Sequence, residues 1–132
     1  RGLTLLAERM RASAARAQAE PALREPAQAL TLALAQIGQA TQEAWATGQP
    51  SEALANAVPY MQAFGHTVLA WVWLDVALAT LRADATLSKV QSAGRMGAMQ
   101  YFYRYELPKI GAWLQVVRTR DMTCANLPEE AF

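Results

Sequence analysis

The chain has 132 residues, enough for one domain with a real core and too few for two ordinary ones. Net charge is +1, with only 17% of residues charged against 53% hydrophobic, so no strong field recruits nucleic acid or an anionic membrane. The single cysteine, Cys124, excludes a disulfide framework and fits a reducing, cytoplasmic setting.

Residues 3–18 read as a first helix. Leu3, Leu6, Met10, Ala14 and Ala17 follow the three-four spacing of one face, and arginines lie opposite. Glu8 and Glu20 interrupt the basic run of Arg1, Arg9, Arg11 and Arg16, so it makes no basic patch. Pro21 and Pro26 break the helix. A second helix follows over 26–46, lined by Leu30, Leu34, Ile37, Thr41 and Trp45. Gly48 suits its C-terminal cap and Pro50 stops continuation.

Ser51 is placed to cap a third helix reaching residue 83, with Glu52 in its first turn. Pro59 lies inside that span and predicts a kink or a restart, with Asn56 able to cap the restarted helix. The helix is apolar on two faces: Leu54, Val58, Met61, Val68 and Val72 on one, Tyr60, Phe64, Trp71, Leu74, Leu78 and Leu81 on the other. Such a helix is buried between partners or spans a membrane. His66 and Asp75 within it, and the lack of a positive cluster at either flank, argue against a membrane span.

A fourth helix is expected over 88–118, capped by Ser88 and bent at Pro108. Met99, Phe102, Tyr103, Ile110, Trp113, Leu114 and Val117 form its apolar stripe. Gly94, Gly97 and Ala98 leave room for a neighbouring backbone. After Asp121 the pattern is lost, and Cys124 reads as a free thiol in a polar tail. The resulting fold class is all-α, an antiparallel four-helix bundle with a kinked third helix.

No catalytic, cofactor-binding or metal-binding residue is assigned. His66, the only histidine, has no second histidine or Glu-x-x-His pattern beside it, and reads as a core residue bonded to a neighbour. Asp75 needs a partner if buried, and Arg82, Arg95 and Arg104 are the candidates. Tyr101, Tyr103 and Tyr105 point in different directions on a helix, so one faces the core and the others are free for a partner. Trp71 and Trp73 diverge by about 200°, so one is free to anchor an interface. The core or interface set is therefore Pro59, Tyr60, Phe64, Gly65, His66, Trp71, Trp73, Asp75, Tyr101, Phe102 and Trp113.

One stretch carries a resemblance. Ala53-Leu54-Ala55-Asn56-Ala57 leads to Pro59-Tyr60, then Phe64-Gly65-His66, then Leu69-Ala70-Trp71-Val72-Trp73-Leu74. A weaker stretch runs from Met96 to Pro108. Together they resemble the C-terminal helical domain of bacterial acyl-CoA dehydrogenases, including the methylthiopropionyl-CoA type, over residues 27–118. The resemblance implies a non-catalytic accessory domain. Its parent would oxidise an acyl-CoA to the enoyl-CoA with FAD and pass electrons to an electron-transferring flavoprotein. The catalytic base and main flavin contacts of that family lie in preceding domains. The chain starts at Arg1 rather than methionine, so the expectation is a piece of a longer polypeptide. On this reading residues 1–20 are a lead-in helix from the catalytic body, 21–120 the bundle and 121–132 a tail. The partners would be the catalytic domains of the same polypeptide, with homo-oligomer contacts possible. The alternative is a stand-alone bundle that binds a ligand or another protein.

Overall fold

A computed structural model describes residues 1–83 and 86–132. Helix α1 (Gly2–Gln18) is followed by a 3-10 turn, Pro21–Leu23, and by α2 (Arg24–Ala44). The one-turn α3 (Pro50–Ala53) precedes the long α4 (Ala57–Arg82). Then come α5 (Lys89–Tyr101), a π turn Phe102–Glu106, a 3-10 turn Leu107–Lys109, and α6 (Ile110–Arg118). There is no strand among the described residues. The all-α, four-rod architecture is the one expected, the fourth rod being α5 and α6 joined through two irregular turns.

Cross-links fix the directions. Ser13 and Arg16 of α1 meet Trp71 and Asp75 of α4, so these two helices run parallel. Tyr103 reaches Ala70 while Asn56 reaches Val116, so the fourth rod runs antiparallel to α4. Glu43 meets Arg118, which puts the end of α2 beside the end of α6. The order is up-down-up-down.

The core explains the alanine content. Leu23, at the end of the 3-10 turn, and Leu30, Ile37 and Ala44 on α2 repeat every seven residues, as do Ala63, Ala70 and Ala77 on α4, and all are buried. A seven-residue repeat is the signature of helices packed at a shallow left-handed angle. Small residues on the inner seam of α4 let three neighbours crowd it, and Leu74 and Met99 fill the space between. The buried hydroxyls of Thr67 and Thr80 donate to Ala63 O and Val76 O, one turn back, so neither is left unpaired. Helix α1 buries Met10, Ser13, Ala14 and Ala17 and so forms part of this core.

Ser88 caps α5 as expected. Its hydroxyl accepts from Gln91 N–H at 3.1 Å and the Gln91 side chain accepts from Ser88 N–H at 3.0 Å, a reciprocal capping box. Gly48 takes φ +70° after α2, the left-handed backbone that glycine adopts without cost.

Several local expectations are corrected. Ser51 lies inside α3; the capping position is Gln49, and Pro50 starts the turn rather than only ending the previous one. Of the kink or restart expected at Pro59, the chain shows the restart: α4 begins at Ala57 and Pro59 sits in its first turn, where its missing N–H breaks no helical bond. Asn56 holds the cap position without capping. Its amide donates instead to Val116 O at 3.2 Å and Asp121 O at 2.8 Å. Those carbonyls belong to the end of α6 and the turn after it. Asp121 N–H bonds Val116 O and Arg120 N–H bonds Val117 O, a Schellman pattern with Arg120 at φ 52° in the usual glycine place. The Arg120 guanidinium then donates to Glu43 O, so a residue poorly suited to that backbone also ties α6 to α2. Gly94 and Gly97 face open space, with nothing within 4 Å of a Cβ built on either, so no backbone approaches there.

Candidate functional site

The residues singled out from the sequence gather on α4 and on what packs against it. His66 lies in the seam between α4 and the fourth rod. Its ring meets the edge of Trp113 at 4.7 Å and lies 5.5 Å from Phe102. Its Nε2 is 3.2 Å from Glu106 Oε2, and Lys109 Nζ donates to the same oxygen at 2.9 Å. The π turn and the following 3-10 turn set Glu106 and Lys109 side by side. The Lys109 bond first, and the His66 bond second, hold the Glu106 carboxyl below the usual carboxylate range. The arrangement clamps α4 to the fourth rod. No set of three or more His, Cys, Asp or Glu side chains placed to hold a metal ion occurs among the described residues.

That clamp has a pH signature. A carboxyl with a depressed folded value stabilises the fold above its unfolded value, near 4.5, and the contribution is lost as pH falls through the folded value. The thermal midpoint should therefore drop as pH falls below about 4.5. Glu106→Gln should lower the midpoint at neutral pH and flatten the acid drop, as read by circular dichroism melts across pH. An unchanged slope would show that the contact contributes nothing.

A second network joins α1 to α4. Trp71 Nε1 donates to Ser13 Oγ at 2.8 Å, and the Arg16 guanidinium donates to the same oxygen at 3.1 Å. Arg16 also lies 3.7 Å from Asp75 Oδ1, close enough for charge attraction and too far for a hydrogen bond. That oxygen is shut from solvent and has no hydrogen-bond partner. Arg16 thus takes the role expected of Arg82, Arg95 or Arg104. The reason is register: parallel packing brings Arg16 level with Asp75, whereas Arg82 is two turns, about 10 Å, further along α4. Tyr103 is the inward tyrosine, its hydroxyl donating to Ala70 O at 2.7 Å. Burial, and then the charge of Asp75, push its phenol well above the usual range.

The remaining residues divide between core edge and surface. Tyr60 stacks on Phe64 at 6.3 Å. Thr41 gives its proton to Ile37 O, so the 2.9 Å contact between the two hydroxyls has Tyr60 as donor. Pro59 is half-buried, Phe102 buried, and Trp71, Trp73 and Trp113 pack half-buried against the core. Tyr101 and Tyr105 are exposed and stack on each other at 4.9 Å. The two are an i,i+4 pair, neighbours on one helix face, so the reading that all three tyrosines point apart is corrected for this pair; it lies where the chain passes from α5 into the π turn.

The outer face of α4 is open. Val58 is 71% and Met61 60% exposed, with Leu69 and Val72 near half, and Leu54 continues the stripe. Gly65 sits at its middle with free space above it. No Asp, Glu, Lys or Arg occurs from residue 53 to 74. By length and composition α4 is apolar enough to cross a membrane, with mean hydropathy 1.4 and 33% of that window buried in the bundle. Sequence reasoning read the apolar stripe but missed Ser13, Arg16, Glu106 and Thr41 as its polar partners. None of the four carried a local signal, because each meets its partner only across rods.

No curated protein and no solved structure matches the chain. A family model described as acetyl-CoA dehydrogenase C-terminal like matches residues 6–128, nearly the full length, including most of α1 and most of the tail. The chain belongs to this acetyl-CoA dehydrogenase C-terminal-like family.

Proposed function

We propose that the chain is the non-catalytic accessory domain of an FAD-dependent acyl-CoA dehydrogenase, and that the outer face of α4 seats it on the catalytic body of the same polypeptide. The observation that carries this reading is the uncharged, uncovered stripe Leu54, Val58, Met61, Leu69 and Val72 in a member of this family. An apolar patch of several hundred Å² on a small domain marks an interaction surface, and packing between domains of one chain is of that order. His66 and Asp75, with polar partners on neighbouring helices, lie within α4 and favour a protein cover over lipid. The parent converts an acyl-CoA to an enoyl-CoA and hands its electrons to an electron-transferring flavoprotein. The described residues present no glycine-rich loop or cationic cluster suited to a flavin diphosphate, so on this reading FAD is held by the preceding domains.

The test is reconstitution in trans. This chain and the catalytic body of its own polypeptide are expressed separately and mixed. A 1:1 complex by size-exclusion chromatography with light scattering is expected, with all acyl-CoA oxidation in the other partner. No association at high concentration overturns the reading.

A further inference from the structure

Helices α1 and α2 are joined through the 3-10 turn Pro21–Leu23, near which Ala17 and Ala27 are buried, and toward Leu3 and Gln42 a cavity lies between them. This cavity, floored by α4, measures about 380 Å³, within the range of small-ligand pockets. Its walls and floor include Leu6, Met10, Leu34, Ile37, Phe64 and Val68. Polar groups stand only along part of the lining: Thr4 and Arg11 on α1, Thr41 and Gln42 on α2 and Thr67 on α4. Thr41 and Thr67 are already satisfied by Ile37 O and Ala63 O. Arg11 is exposed and makes no ion pair with any described residue. Gly38 lines the cavity, and a Cβ built on it meets nothing within 4 Å.

We propose that this cavity binds a single-chain alkyl anion, its chain lying on Phe64 and Val68 and its head at Arg11. The apolar lining selects the chain, and a cation with no internal partner selects the sign of the head. Length follows from the geometry. From Leu3 to Met10 the wall rises about 11 Å at 1.5 Å per residue, which suits a chain of about ten carbons. The site uses the Phe64 and Thr67 side of α4 and borders the exposed stripe at Val68, one turn from Val72; the proposal rests on the cavity and not on docking to a catalytic body.

The probe is decanoate below its micelle concentration, titrated by calorimetry into this chain and followed by amide and methyl NMR shifts. One saturable site per chain is expected, with shifts centred on Leu6, Ile37 and Phe64. Butyrate should bind at least about tenfold more weakly, and decylammonium more weakly than decanoate. Arg11→Gln should weaken decanoate about fivefold, the range of an exposed ion pair, and remove the preference over decylammonium. Gly38→Phe should close the cavity without lowering the thermal midpoint, because the space for the ring exists, and should abolish binding. Should that variant fail to fold, Gly38→Leu and the wild-type shift map carry the same test. Non-saturable heats, shifts away from the cavity, equal affinity for decylammonium, or undiminished binding in a folded Gly38 variant would each overturn the proposal.

Discussion

Leu74→Ala should lower the unfolding free energy by about 3.5 kcal/mol, the middle of the range for a fully enclosed leucine. Leu74 has 0% exposure and sits between Ala70 and Ala77 on the seam that faces three neighbouring rods. Flanking alanines have no side chain to swing into the vacated volume, so the cavity persists and its cost adds to the lost transfer energy. A domain of this size has about 5–15 kcal/mol in total. The variant should therefore melt about 10 °C lower in differential scanning calorimetry. A loss under about 1 kcal/mol would mean that the rods close over the gap. The alanine seam would then be a yielding contact rather than a rigid spine.

Val58→Asp, Met61→Asp and Val72→Asp should do the opposite: leave the isolated domain intact and abolish its docking. Each side chain is at least 47% exposed. A charge there should shift stability by no more than about 0.5 kcal/mol. Val58 lies in the first turn of α4, where a negative charge is favoured by the helix dipole. On the proposed docking, a catalytic body covering that face strips each carboxylate of water without a partner, at a cost of several kcal/mol. Affinity in the mixing experiment should fall at least about hundredfold for any one of the three. Leu32→Asp is the control, since Leu32 is 60% exposed on α2. It should bind as wild type. Undiminished binding by all three α4 variants would move the interface elsewhere, with the stacked Tyr101 and Tyr105 pair as the next surface to alter.

What could be read from the sequence was periodicity and composition. The number of rods and their order followed from three-four spacing and from proline positions, as did Leu30 and Ile37 on α2 and Leu74 and Leu78 on α4; Trp45, read as lining α2, is exposed, and the alanine seam of α4 was not read. The restart at Pro59 and the Ser88 cap were readable because each depends on neighbours within four residues. Partnerships between rods were not readable. Asp75 was matched to arginines on its own helix or the next one. The true neighbour, Arg16, depends on α1 running parallel to α4, a fact that only the assembled bundle contains. Asn56 shows the same limit. Its type and position suit a cap, yet two carbonyls more than fifty residues away compete for the same amide and win. Gly94 and Gly97 looked like contact points because glycine often marks them, but they lie on the open side of α5.

The two irregular turns in the fourth rod have a joint effect. Leu107 N–H reaches back five residues to Phe102 O, and Ile110 N–H reaches back three to Leu107 O. A wide winding runs behind the ideal helix and a tight one ahead of it, so the two phase errors oppose each other. Pro108 is thus absorbed like a splice in a cable, and Ile110, Leu114 and Val117 resume on the strand's original bearing. Removing one residue from the splice would leave a single uncorrected error of about 100° and rotate those three side chains off the core.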